Sequence, residues 1–208
     1  MTRENRVKYL FVTWEDLEDL VARLAVKIWQ SGYRPELIVG VSRGGLVPTR
    51  LLSDFLNVRD VIVLGVSFYE AMGKTSKRPR ITHPLSRDIR SKRVLLIDDV
   101  SDTGGSLQLA KRHVLSFSPG DLLVCTLHRK PWSKFHPDIY VEETDRWIIY
   151  PWEKAEAAGE ILAALPGDQR RELASVGFSE RDLDLLEGLG LFESGPNHLG
   201  GYDEDGEG

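Results

Sequence analysis

The chain has 208 residues, 41% of them hydrophobic and 28% charged, with a single cysteine; it is long enough to bury a core of its own and cannot form an internal disulfide. Its formal charge of −5 is unevenly spread: residues 155–192 hold eight acids and three bases, residues 193–208 five acids and no Lys or Arg, and residues 1–154 a net +5. A mildly basic main part suits a small polyanionic ligand, the acidic C-terminal part argues against nucleic acid as a partner, and no stretch approaches the roughly 20 apolar residues that would make a membrane one.

The opening MTRENRVKYLFVTWEDLEDL lacks an apolar run of signal-peptide length, so a cytoplasmic protein is expected. Thr13, with Asp16 three residues on, starts a helix whose Leu17, Leu20, Val21, Leu24 and Ile28 recur at helical spacing as far as Gly32. ELIVGV then reads as a strand, SRGG as a turn and GLVPTRLLSDFL as a helix; DVIVLGVSFY follows as a strand. Residues 70–92 form a long polar loop carrying Lys74, Lys77, Arg78, Arg80, Arg87, Arg90 and Lys92, expected to be a mobile lid. RVLLID is a strand, GGSLQLAKRHVLSF a helix, and DLLVCTLH a strand in which Cys125 is a small buried hydrophobe. This alternation predicts an α/β fold, a mostly parallel twisted sheet with helices on both faces, whose ligands sit where strand ends meet helix starts. From residue 155 the texture changes to three short helices broken at Pro166-Gly167 and Gly177, the last opened by Ser179 with Asp182 behind it. The expected organisation is therefore a main domain of residues 1–154 with its lid at 70–92, a small helical extension at 155–192, and an acidic tail at 193–208 expected to be disordered.

The most informative stretch is VLLIDDVSDTGGSL, residues 94–107. Thr103-Gly104-Gly105-Ser106 is built like a phosphate nest, a glycine turn leading into a helix whose first backbone N–H groups are unpaired. Asp98 and Asp99 stand beside it. Two carboxylates would repel a phosphate, so they answer another part of the same ligand, either sugar hydroxyls or Mg²⁺. A P-loop is excluded: Gly73-Lys74-Thr75 lacks the glycine that its spacing requires at position 68, which is Phe. There is no G-x-G-x-x-G fingerprint either.

This stretch resembles the phosphoribosyl pyrophosphate (PRPP) signature of type I phosphoribosyltransferases. KYLFVTW at 8–14, GVSRGGLVPTRLL at 40–52, IDDVSDTGG at 97–105, RKP within HRKPW at 128–132 and DRWIIYPWE at 145–153 are similar, in order and spacing, to bacterial xanthine-guanine phosphoribosyltransferases and archaeal purine-using relatives. The resemblance implies purine salvage: PRPP and a purine base give a nucleoside 5′-monophosphate and pyrophosphate, with Mg²⁺ as cofactor, in a homodimer or homotetramer. It implies that Asp98 and Asp99 bind the ribose hydroxyls and help place the metal, that Asp102 to Ser106 hold the 5′-phosphate, and that Ser42, Arg43, Gly44 and Gly45 form the pyrophosphate loop. Asp102 would handle the proton on purine N7. Lys130 would donate to a 6-oxo group, Trp147 would stack on the base, and Ile148 would offer its carbonyl. Tyr69 and Lys74 would belong to the lid, where Phe68 stands in place of the family's serine. An ammonium carries only donors and so favours guanine, hypoxanthine or xanthine; the extension after residue 154 leaves adenine open as the alternative. A PRPP- or nucleotide-sensing regulator, with 155–192 as a helix-turn-helix, is the remaining reading, and the acidic SERDLDLLEG speaks against it.

Overall fold

Leu37, Ile38, Val39 and Val41 are all buried, so the strand that contains them must be covered on both faces. The computed structural model describes residues 8–70, 77–164 and 167–194. In chain order these form β1 (Tyr9–Phe11), α1 (Trp14–Gln30), β2 (Leu37–Ser42), α2 (Leu46–Phe55), β3 (Val61–Glu70), β4 (Lys77–His83), β5 (Arg93–Ser101), α3 (Gly105–Leu115), β6 (Asp121–Arg129), β7 (Ile139–Glu143), β8 (Trp147–Ile149), α4 (Lys154–Ala164), α5 (Gln169–Val176), α6 (Glu180–Gly188) and α7 (Leu191–Ser194). They divide into two units, residues 15–145 and a second that joins the described residues before Glu15 to those from Arg146 onward.

The first unit is built on a six-stranded sheet in the order β4-β3-β2-β5-β6-β7. All neighbours are parallel except β3 and β4, as the alternating pattern predicts. The two-residue period of β2 separates its faces. Leu37, Val39 and Val41 join Val94, Leu96 and Val124 in one buried cluster with Leu107, Ala110 and Val114 of α3. On the other face Gly40 meets α2: a Cβ there would lie 2.3 Å from Thr49 Oγ1, so only glycine lets the helix settle this close. Helix α1 buries the predicted stripe of Leu17, Leu20, Val21, Leu24 and Ile28. Its Lys27 ammonium donates to the Tyr140 carbonyl at 2.8 Å and Arg23 pairs with Glu142 at 2.7 Å, which fastens it to β7.

Residues 70–92 are not one polar loop. Residues 77–83 form strand β4, antiparallel to β3, and Leu85 and Ile89 are buried in the α3-side cluster. The Leu85 amide donates to His113 Nε2 of α3 at 3.1 Å. The reason is positional: β4 is a sheet edge, where proline and exposed arginines are tolerated because one row of backbone groups faces water. Pro79, Arg78 and Arg80 therefore hid a strand whose sequence looks like a loop. Residues 71–76, including Lys74, lie outside the described residues.

In the second unit β1 and β8 form a two-stranded parallel ribbon, with Leu10 paired to Ile148. The predicted helices follow it. Asp168 caps α5 by accepting from the Arg171 amide, and Ser179 and Asp182 cap α6 reciprocally. Gly177 ends α5 at φ 126°, a backbone state that suits glycine, and a Cβ there would also press on the Phe11 ring at 2.9 Å. Ile149, Ala158, Ile161, Leu173, Phe178, Leu183 and Leu186 share one apolar cluster against which Tyr9 and Phe11 pack. The extension and the ribbon thus share a core. Of the acidic tail, residues 195–208 lie outside the described residues.

Candidate active site

The strand order places β2 and β5 side by side, although the chain leaves β2 toward β3 and leaves β5 toward β6 in the opposite direction. That reversal opens a crevice at the carboxyl ends of β2 and β5, where open parallel sheets bind ligands. Two helices begin there. α2 starts after Gly45 and α3 after Gly104, and neither N-cap residue supplies a side-chain hydrogen bond to its helix. Each turns the positive end of its dipole toward the crevice, and the Gly105 amide at the start of α3 donates to Thr103 Oγ1 at 3.4 Å.

Ser42, Arg43, Gly44 and Gly45 lie across the end of β5. Gly45 donates its N–H to the Val41 carbonyl at 2.8 Å, and a Cβ on it would stand 2.6 Å from both the Ile97 and the Val41 carbonyl oxygens. Gly44 lies on the Asp99 carboxylate, with a Cβ position only 2.3 Å from Oδ2. The Ser42–Arg43 peptide is cis, and the Arg43 side chain is exposed. Turn and acid pair thus belong to one site. Gly44→Ala should push the turn off the carboxylate; a shift approaching 1 Å in a binding loop lowers kcat/KM about 10²-fold. Retention of wild-type kcat/KM for PRPP by this variant would show that the loop does not carry the ligand.

Asp98 and Asp99 are both buried at 8% exposure. The Asp99 amide donates to Asp98 Oδ1 at 3.1 Å and the Val100 amide to Asp99 Oδ1 at 2.7 Å. Burial, and then the charge of Asp99, hold the Asp98 carboxyl well above the usual carboxylate range; burial pushes Asp99 up to about 6. A pair held against its own ionisation suits a cation or hydroxyl donors. Among the described residues no group of three or more His, Cys, Asp or Glu forms a metal cluster. A divalent ion here would have to complete its shell from ligand phosphates and water, which is how Mg²⁺ usually binds.

Beyond the pair, Gly104 sits at φ 85° and a Cβ on it would strike Phe135 Cβ at 2.4 Å, so glycine is required on both counts. The segment after β6 is latched to this turn: the Lys130 amide donates to the Ser101 carbonyl at 3.0 Å and the Lys134 amide to the Thr103 carbonyl at 3.2 Å. Ser101 and Ser133 share a buried hydroxyl hydrogen bond of 2.8 Å. These bonds bring Lys130, buried at 6% exposure, beside the turn of Asp102 to Ser106. Asp102 is exposed, and its Oδ1 accepts from the Trp132 indole N–H at 3.0 Å. Trp132 was not singled out by the sequence patterns; the only signal was a large aromatic directly after Lys130-Pro131.

The structure therefore gathers Ser42–Gly45, Asp98, Asp99, Asp102–Ser106 and Lys130 at one end of the main sheet. Trp147 and Ile148 belong to the second unit. Trp147 is 43% exposed, tilted against Tyr9 with ring centroids 6.2 Å apart, and anchored through its amide to the Lys8 carbonyl at 2.8 Å; Ile148 is buried. Tyr69 takes part in the β3–β4 ladder opposite Arg78.

Residues 12–158 match the phosphoribosyl transferase domain. The chain belongs to this family. A xanthine-guanine phosphoribosyltransferase of Gluconobacter oxydans (strain 621H) is 30% identical over 151 residues, 72% of this chain and 87% of the relative. A purine phosphoribosyltransferase from Pyrococcus horikoshii Ot3 is 36% identical, with a TM-score of 0.63 over 70% of this chain and 93% of that one. The Helicobacter pylori xanthine-guanine-hypoxanthine phosphoribosyltransferase, at 24% identity and a TM-score of 0.60, shares the fold. The family match ends within α4, so most of the helical extension lies beyond it.

Proposed function

We propose that the protein is a purine salvage enzyme. It transfers the phosphoribosyl group of PRPP to a free 6-oxopurine, giving a nucleoside 5′-monophosphate and pyrophosphate. The observation that carries this reading is the buried Asp98–Asp99 pair between two helix N-termini, each begun by a glycine. PRPP presents an anion at each end and a diol between them. The α3 N-terminus, residues 102–106, takes the 5′-phosphate, and the Ser42–Gly45 turn with the Arg43 guanidinium takes the pyrophosphate. Asp98 and Asp99 accept from the ribose hydroxyls, and their charge favours the positive character that develops on the sugar as pyrophosphate leaves. Mg²⁺ fits this donor set: placed by Asp98 and Asp99, it supplies neutralisation of the leaving pyrophosphate.

Asp102, on the turn that opens α3, is suited to hold the proton at purine N7. Lys130 is the donor proposed for the 6-oxo group; in the second unit, Trp147 and the Ile148 carbonyl are the groups proposed for recognising a base. The names of the relatives, xanthine-guanine and purine phosphoribosyltransferases, point the same way, and Lys130 favours a 6-oxopurine over adenine. A nucleic-acid-binding regulator is disfavoured by the extension itself: Arg170 of α5 is already engaged by Glu180, Asp184 and Glu187 of α6. With Arg170 neutralised in this way, and acids outnumbering bases in residues 155–192, the extension offers little to phosphates.

The test is pyrophosphate release from PRPP and Mg²⁺ with an equal mixture of guanine, hypoxanthine, xanthine and adenine. Monophosphates of the 6-oxopurines are expected to dominate. Adenosine monophosphate as the main product would reassign the base, and no pyrophosphate with any purine would end the reading. We place the enzyme in the cytoplasm as a homodimer or homotetramer, which light scattering would measure directly.

A further inference from the structure

Trp132 is half exposed, at 54%, and lies in the turn after Pro131, so it contributes little to a core. It nevertheless touches both groups assigned to the purine edge. Its indole N–H donates to Asp102 Oδ1 at 3.0 Å, and the Lys130 ammonium lies over its ring, 5.6 Å from the centroid. We propose that Trp132 is a positioning residue that sets the Asp102 carboxylate and the Lys130 ammonium to meet one purine edge. The proposal rests on the roles given to Asp102 and Lys130 above.

The chemistry is asymmetric. An indole N–H can only donate, so it occupies one carboxylate oxygen and leaves Oδ2 to take the proton from N7. The ring face meanwhile attracts the Lys130 ammonium, 5.6 Å from its centroid, and so biases where that charge is held. Backbone bonds fix the frame independently of the indole: Lys130 N–H to the Ser101 carbonyl, Ser133 N–H to the Lys130 carbonyl and Lys134 N–H to the Thr103 carbonyl, at 3.0, 3.0 and 3.2 Å. Removing the indole N–H should therefore leave the loop in place and free only the carboxylate.

Trp132→Phe keeps an aromatic ring near Lys130 and deletes the donor. Hydrogen bonds to charged groups are worth enough for about a tenfold effect, so the single-turnover rate of transfer should fall about tenfold while the Kd for PRPP changes less than about twofold. In an Asp102→Asn background the same substitution should cost less than about twofold, because the group it positions is already gone. A tenfold loss in both backgrounds, or a change confined to PRPP binding, would overturn the proposal. A second measurement needs no turnover: the indole ¹H–¹⁵N resonance that disappears in Trp132→Phe should move markedly in Asp102→Asn. If it stays in place, the contact and the proposal fail together. Absence of transfer by the wild-type enzyme with every purine would instead overturn the proposed function, and the resonance would still report on the contact.

Discussion

Replacing both buried acids, as Asp98→Asn/Asp99→Asn, is expected to abolish transfer and to make the ligand-free protein more stable. A single preorganised polar group facing a transition state is worth about 10²–10³ in rate, so losing two should exceed 10³-fold. The isosteric amides can keep accepting from the Asp99 and Val100 amides, which donate to these side chains at 3.1 and 2.7 Å. The fold should therefore survive.

The gain in stability follows from the raised proton affinities. A carboxyl whose affinity is higher in the folded than in the unfolded chain contributes stability that is fully present below its unfolded value and is lost as pH rises through the folded one. For Asp99 that window runs from the ordinary carboxyl value of 3.8 to about 6; Asp98 is shifted in the same direction. At pH 7.5 the penalty is complete, on the order of 2–3 kcal/mol. At roughly 2–4 °C per kcal/mol for a chain of this size, the double variant should melt about 5–10 °C above the wild type at pH 7.5, with the difference shrinking toward pH 4. Mg²⁺ with PRPP should raise the wild-type Tm and leave the variant's unchanged. Equal melting points at pH 7.5, or an advantage that grows as pH falls, would show that the pair is not held against its own ionisation.

The same pair explains why this site was legible in the sequence. Asp98 and Asp99 end an apolar strand and Thr103–Ser106 open a helix, so strand and helix patterns located them on one sheet end without long-range information. The buried strands β2, β5 and β6 were legible for the same reason: each is an uninterrupted apolar run too short for a helix. What stayed hidden depends on contacts between distant segments. Gly44 was named with its loop, but the reason it must be glycine, the Asp99 carboxylate 55 positions on, was not legible, and Trp132 matters through Asp102, 30 positions back. Strand β4 was obscured because an edge needs neither an apolar face nor every N–H. The three-residue strands β1 and β8 are too short to show a period at all.

The second unit sets the other large expectation. Phe178 is buried at 4% exposure and meets Phe11 edge to face, with centroids 5.2 Å apart. It lies between α5 and α6 and packs in the cluster that also holds Ile149, so it ties the helical extension to the ribbon that carries Trp147. Phe178→Ala should cost about 3–5 kcal/mol, from lost transfer energy plus the cavity left behind, and lower Tm by about 10 °C. The consequence for function should be selective. Phe11 pairs with Ile149, and Leu10 with Ile148, so a cavity beneath Phe11 loosens the ribbon on which Trp147 and Ile148 are displayed. The KM for the purine should rise several-fold while that for PRPP, whose binding is proposed above for residues of the other unit, stays within about twofold. Parallel rises in both constants would mean that the extension supports the whole enzyme, and an unchanged purine KM despite the lower Tm would remove Trp147 and Ile148 from the recognition of the base.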